Sequence, residues 1–429
     1  MKKTFYLFAS AALMLLTLNS CKKKTDGDVT LPFSTLSVQE QKQAIEQNGI
    51  DLMDKVDALQ STPAIVALTA LNNNINGGMP ALVKPLAQLR AGLLKNDTKA
   101  VETFGQQMKV AAALGDSLWG TYTWNPEIHD FDHQAGASNS ATILIPATEG
   151  SSDNTGEIKI TYEPSTIVAP GTDPVEYMPK SLSVVMKVSG ATVMTFTFSG
   201  AYKSDATPTS LTQTLVVDKF NWNVTFTNND KDVSAKYSFT YDQKVLLKME
   251  IGAAGSLTAT NIQENMENDP EKVLSSGAVL VQVMNIAMKG TINDFKGFAA
   301  ESKALKPDSV VHPATTYNES WTEYVYPKAY YDKMANIINK YINIYGFFAN
   351  ENKKFADVEF YSYEKTYTYE DWVWNADTQS YDIVKKTGTE YVCEPRFVLS
   401  DKSKVTIEDY LRTGFEDLIT KIQGYMPQE

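Results

Sequence analysis

Phe220-Asn221-Trp222-Asn223-Val224-Thr225-Phe226-Thr227 alternates apolar and polar side chains without a break. Successive side chains of a strand point to opposite faces, so this octet has one greasy face and one Asn/Thr face. The same period runs outward on both sides. Upstream, Met194, Phe196, Phe198 and Tyr202 alternate with Thr195, Thr197 and Ser199, and Leu211, Leu215 and Val217 oppose Thr212 and Thr214. Downstream, Val233, Ala235, Tyr237, Phe239 and Tyr241 lead into Val245, Leu247, Met249 and Ile251. Ser204-Asp205, Asn228-Asn229-Asp230 and Asp242-Gln243 supply turns between the runs. The spacing predicts an antiparallel meander with one apolar face and one wetted face.

Before the meander the period is helical. Ser37-Val38-Gln39-Glu40 is a capping box, and Ile45, Leu52, Met53, Val56 and Leu59 line one face after it. Thr62-Pro63 opens a second helix, broken at Gly77-Gly78, and helical stretches follow at about 80–95 and 98–117. Beyond the meander, helices are expected at 269–276, 293–304, 329–349 and 406–424, with a strand at 278–292 and strands between 354 and 399. The predicted class is α+β. A helical N-terminal segment covers a large antiparallel meander, and a smaller C-terminal α+β region follows. The organisation reads as a signal peptide at 1–20, a tether at 21–36, helices plus sheet at 37–305, a proline-rich connection at 306–328 and the C-terminal region at 329–429.

The chain has 429 residues, 43% hydrophobic, which is enough to build a substantial core. Its net charge is −12, and only Arg90, Arg396 and Arg412 among its 39 basic residues are arginines. Nucleic-acid recognition leans on arginine forks and a basic face, so that class is excluded. Two cysteines, Cys21 and Cys393, exclude a disulfide scaffold and a multi-cysteine metal site.

Catalytic constellations are sparse. His129-Asp130-Phe131-Asp132-His133 crowds imidazoles and carboxylates, but a hairpin reading puts His129 in a turn, and no Glu follows it. Gly136-Ala137-Ser138-Asn139-Ser140 lacks the second glycine of a nucleophile elbow, and His312 stands in the proline-rich connection. No phosphate-cradling glycine loop is present. No cofactor, metal or catalytic residue is therefore assigned.

Fifteen of the 22 tyrosines lie at or beyond Tyr317. Tyr361, Tyr363, Tyr367 and Tyr369 fall on one face of a strand, with Trp372 and Trp374 on the other. Tyr361, Tyr363, Trp372 and Trp374 are candidate platforms for a glycan. An apolar ligand would instead need a cavity between the helices and Phe196, Phe198, Trp222, Phe226 and Phe239. One echo links the two ends of the chain. Tyr122-Thr123-Trp124-Asn125-Pro126-Glu127 leads to Phe131-Asp132, and Trp372-Val373-Trp374-Asn375-Ala376-Asp377 leads to Tyr381-Asp382. Both read as hairpins with Asn and an acid in the turn.

The N-terminus has Lys2 and Lys3 followed by an apolar run from Phe5 to Leu18. That run is shorter than the roughly 20 helical residues that span a hydrocarbon core. It ends in Leu18-Asn19-Ser20-Cys21, which resembles a bacterial lipobox. The resemblance implies cleavage before Cys21 and acylation of that cysteine. The Lys22-Lys23-Lys24-Thr25-Asp26-Gly27-Asp28 tether is similar to those of outer-membrane lipoproteins of Bacteroidota. It implies an acyl anchor in the outer membrane, with the periplasmic face and the cell surface both open. Asp308-Ser309-Val310 and Asp116-Ser117-Leu118 resemble the O-glycan acceptor motif of that group, which makes Ser309 and Ser117 candidate modification sites. The expected role is non-enzymatic binding of a glycan or an apolar ligand at the envelope. The alternatives are a polysaccharide hydrolase using a carboxylate pair and a structural or protein-interaction component.

Overall fold

The computed structural model describes residues 31–74, 82–94, 99–113, 119–136, 139–171, 176–305, 310–311 and 324–424. Cys21, Gly77-Gly78, Ser117, Ser309 and His312 lie outside the described residues. Among the described residues, four α-helices come first: α1 (Val38–Asp57), α2 (Pro63–Asn74), α3 (Lys84–Leu94) and α4 (Ala100–Ala113). The capping box forms as its sequence predicts. Ser37 Oγ accepts from the Glu40 amide at 3.3 Å, and Glu40 Oε2 accepts from the Ser37 amide at 2.7 Å.

Strands β1 (Gly120–Asn125), β2 (Asp130–Ala135), β3 (Ser140–Ile145), β4 (Gly156–Val168), β5 (Tyr177–Val188) and β6 (Ala191–Tyr202) follow. They continue into β7 (Pro208–Val217), β8 (Phe220–Asn228), β9 (Asp232–Tyr241) and β10 (Lys244–Gly255). Short helices α5 (Ala259–Asn265) and α6 (Pro270–Val273) lead to β11 (Leu274–Val283), β12 (Ile286–Ile292) and α7 (Phe295–Ala304). A two-residue pair, β13 (Val310–Val311) and β14 (Tyr324–Val325), precedes α8 (Lys328–Tyr341). The chain then forms β15 (Ile342–Phe348), β16 (Lys353–Asn375), β17 (Ser380–Val398), β18 (Lys404–Thr406), α9 (Ile407–Leu411) and α10 (Glu416–Gly424).

Sixteen strands form one sheet in the order β18-β17-β16-β15-β12-β11-β10-β9-β8-β7-β6-β5-β4-β3-β1-β2. Strands of the C-terminal region extend the meander's own sheet, with β15 pairing directly to β12. The row that carries the core crosses it from β3 to β15. Ala141, Ile160, Val184, Phe196, Leu215, Trp222, Phe239, Leu247, Val283, Ile286 and Phe348 are successive register partners. Helices α2 to α4 cover the β3–β8 part of this row, and Phe104 of α4 meets Phe196 edge to face at 4.9 Å. Helix α1 runs across the strands. Ala44 and Ile45 pack against the smaller cluster that holds Phe348 and Phe355, whereas Leu52 and Val56 join the larger core. Gln213, on the row's apolar face, is buried and donates to the Val101 carbonyl of α4, which satisfies a polar group the core would otherwise strand.

One pairing departs from the antiparallel expectation. β1 and β3 are parallel, because β2 takes the outer edge and the chain crosses back to β1's other side. The crossing is possible because Gly120 has φ +139° and a Cβ there would sit 2.1 Å from the Gln134 carbonyl oxygen.

Three helix expectations are corrected. The 269–276 helix is only Pro270–Val273, since Leu274 already pairs with Gly255 of β10. The 278–292 strand is a hairpin of two strands, β11 and β12. The 329–349 helix ends at Tyr341, and Ile342–Phe348 is β15. No glycine or proline punctuates that junction, so the apolar stripe of α8 flows into the strand's alternation. The 406–424 helix is likewise two, α9 and α10, separated where Gly414 adopts φ +85°.

Candidate functional site

Two features stand outside the packed core: a projecting ribbon and an open apolar trough. β15 pairs with β16 only as far as Val358, and β18 pairs with β17 only from Arg396. Beyond those points, Glu359–Asn375 and Ser380–Pro395 form a two-stranded arm. Its base is braced by α8. The Asn339 side-chain amide donates to the Phe360 carbonyl at 2.7 Å and accepts from the Phe360 amide at 2.8 Å. Ser362 Oγ donates to Asp332.

The arm's two faces differ. One carries Tyr361, Tyr363, Tyr367 and Tyr369 with Arg396, Glu394 and Gly388 opposite. Arg396 lies over the Tyr361 ring at 4.2 Å, and Tyr361 and Tyr363 stack at 5.2 Å. Burial and donation to Glu394 at 2.7 Å push the Tyr363 hydroxyl far above its ordinary range. The other face carries Trp372, Trp374, Tyr381 and Ile383 near the tip, where Trp372 is 63% exposed and Trp374 53%. The tyrosine and tryptophan candidates are thus on opposite faces, as the period implies. Nine residues also separate Tyr363 from Trp372, about 30 Å of strand. The structure does not bring the four together as one platform.

The echo is a shared hairpin lock. In β1–β2, Asn125 Nδ2 donates to Asp132 Oδ2 at 3.0 Å and Asn125 Oδ1 accepts from the Glu127 amide at 3.0 Å. At the arm tip, Asn375 Nδ2 donates to Asp382 Oδ2 at 2.7 Å and Asn375 Oδ1 accepts from the Asp377 amide at 3.0 Å. The fourth loop residue is left-handed in both, His129 at φ 52° and Gln379 at φ 50°. Surroundings differ completely: Trp124 is 4% exposed, against 53% for its counterpart Trp374. An isolated two-stranded ribbon is marginal in water, so the lock matters most at the arm. Replacing Asn375 by Ala is expected to speed amide exchange of the arm by roughly fivefold or more, as a loss of about 1 kcal/mol implies. Exchange mass spectrometry reads this, with the meander amides unchanged.

The trough lies on the apolar face where the helical layer ends. Val279, Val281, Met288, Gly290, Ile344, Val358, Phe360, Pro395 and Ile407, with Lys289 at the margin, line a shallow trough open to solvent, with a cavity volume of about 40 Å³. Gly290, between Val279 and Ile344 in the register, contributes no side chain to the floor. By contrast, the cavity expected over Phe196, Phe198, Trp222 and Phe239 is filled, since all four are buried in the core cluster. Phe226 is half-buried. The trough had no sequence signal of its own. Its residues come from five strands and one helix that lie far apart in the chain.

His129 sits in its turn, and His133 stacks on Tyr122 at 4.3 Å. No cluster of His, Cys, Asp or Glu suited to a metal ion occurs among the described residues. Burial, and then Glu394, raise the Cys393 thiol above its ordinary value, which disfavours the thiolate a nucleophile needs. No described helix is long and apolar enough to cross a membrane. Comparison with protein-family models found no match, and neither curated proteins nor solved structures yielded one.

Proposed function

We propose that this protein is an acyl-anchored outer-membrane lipoprotein that binds an apolar ligand without catalysing a reaction. The open trough at Val279, Val281, Met288 and Phe360 carries this reading. Its lining is apolar, as the walls of small-molecule sites mostly are. Leaving such a surface in water forfeits roughly 25 cal/mol per Å², which an acyl chain or similar molecule would recover. The glycan reading is less well supported, because Tyr361 and Tyr363 are engaged with Arg396 and Glu394 and share no platform with Trp372 and Trp374. Fluorescent fatty-acid titration tests the proposal. Val281→Glu places a carboxylate on the trough floor and is expected to weaken binding about tenfold or more, with unchanged circular dichroism. Wild-type protein that binds no apolar probe but retains oligosaccharides on an array would overturn the reading, as would turnover of any polysaccharide.

A further inference from the structure

Among the described residues, no strand pairs with the outer edge of β17 from Ser380 to Pro395, since β18 covers only Arg396–Val398. This segment is rich in strand formers, including Ile383, Val384, Thr387, Thr389, Tyr391 and Val392. Long free edges of this composition are templates for pairing with another strand. We infer that the occupant of this edge is a second copy of the chain, with β17 pairing antiparallel to β17 about a twofold axis through Gly388.

The charge order along the strand selects that register. A twofold axis at Gly388 sets Lys386 opposite the second copy's Glu390, and the symmetry repeats the pair on the other side. Glu390 has no hydrogen-bond or ion-pair partner among the described residues, so Lys386, which also binds Asp371 within its own arm, supplies one across the contact. The same register sets Val384 opposite the second copy's Val392 and Thr387 opposite its Thr389. It also brings Asp382 opposite Glu394, the one like-charge pair. Within its own arm Asp382 accepts from Asn375, and Lys365 offsets the charge of Glu394. An axis one residue away at Thr387 pairs Val384 with Glu390 and loses the complementarity.

The register also accounts for the exposed tip. Tyr381 and Ile383 of one copy come beside Pro395 and Cys393 of the other, at the arm base. There α8 and its preceding turn present a packed aromatic group, Tyr326, Tyr330 and Tyr331, with Tyr326 and Tyr330 stacked at 4.6 Å. Helix α8 packs against β17 as well as β16, which places the group beside the arm base. The Trp372 and Trp374 side of the tip thus approaches an aromatic surface instead of water, and the two-stranded arms become one four-stranded ribbon.

Light scattering and analytical ultracentrifugation of the full-length chain in detergent test the inference. The wild type is expected to be dimeric at micromolar concentration. Lys386→Glu alone and Glu390→Lys alone each place like charges opposite one another twice, and each is expected to weaken the dimer about tenfold or more. The double variant, Lys386→Glu with Glu390→Lys, restores the pairs in reverse and is expected to recover the dimer. A monomeric wild type would overturn the inference, and a different partner would then claim the edge. So would a dimer indifferent to both single changes, or a double variant that stays monomeric with native circular dichroism. None of these readouts depends on apolar-ligand binding, so they stand or fall separately from the trough.

Discussion

Replacing Cys21 by serine is expected to transfer the protein from the membrane fraction to the soluble fraction almost completely. The expectation rests on the lipobox-like Leu18-Asn19-Ser20-Cys21 behind a short apolar run. Each buried methylene of an acyl chain contributes roughly 0.8 kcal/mol, and one chain alone holds a protein only marginally. Two or more chains on one cysteine make the attachment firm, so losing the acylated residue loses nearly all membrane affinity. The folded body has no described helix to replace it. The tether joins the sheet at its lower rim, where the Ser34 amide donates to the Lys354 carbonyl at 2.7 Å and the Lys354 amide donates to the Pro32 carbonyl at 2.8 Å. From Lys354 to Asn375 the same strand runs roughly 70 Å at ~3.3 Å per residue, so the aromatic tip lies far from the point where residues 32–34 join the sheet. Fractionation and intact-mass measurement check the result. A Cys21→Ser protein still held in membranes, or a wild type lacking acyl mass, would defeat the anchor reading.

Phe196→Ala is expected to cost about 3–5 kcal/mol of stability, the range for deleting a fully buried aromatic ring. Phe196 is 0% exposed, sits between Val184 and Leu215 in the core row, and receives the Phe104 ring edge-on at 4.9 Å. Truncation removes the transfer energy of the ring and leaves a cavity that neighbours on three strands and α4 cannot close without moving. Urea unfolding reads the loss as a lower midpoint. Trp372→Ala, at a ring that is 63% exposed, is the control and is expected to stay within about 0.5 kcal/mol. A small effect at Phe196 would mean that the helical layer does not seal this part of the sheet, and the apolar-ligand cavity would return to the place the sequence suggested for it.

The alternation around Trp222 was enough to place Phe196, Leu215, Trp222 and Phe239 on one face, because side-chain direction in a strand follows from position alone. The α1 start was equally legible, since a capping box is satisfied by residues three apart. So was the hairpin lock, whose Asn and Asp act across a single turn. The helix-to-strand change at Tyr341 was not legible, because an apolar stripe without a glycine or proline is compatible with both periods. The candidate site was the least legible part. The Tyr and Trp candidates were separated correctly into two faces, but the distance between them and the bracing by Arg396 and Glu394 depend on how β17 pairs with β16.

By itself the sequence determined the local periods, the caps, the turn chemistry and the faces of each strand, all set by neighbours within a few residues. Tertiary structure alone decided that strands on both sides of 306–328 share one sheet, that the cavity over Phe196 is filled, and that the apolar face lies open instead at Val281 and Phe360. It also decided which of two matching hairpins would bury its tryptophan, Trp124 in the core and Trp374 on an arm in water. Identical local rules produce both hairpins. What differs is whether distant chain arrives to cover them, and that depends on contacts between residues hundreds of positions apart, which no local pattern encodes.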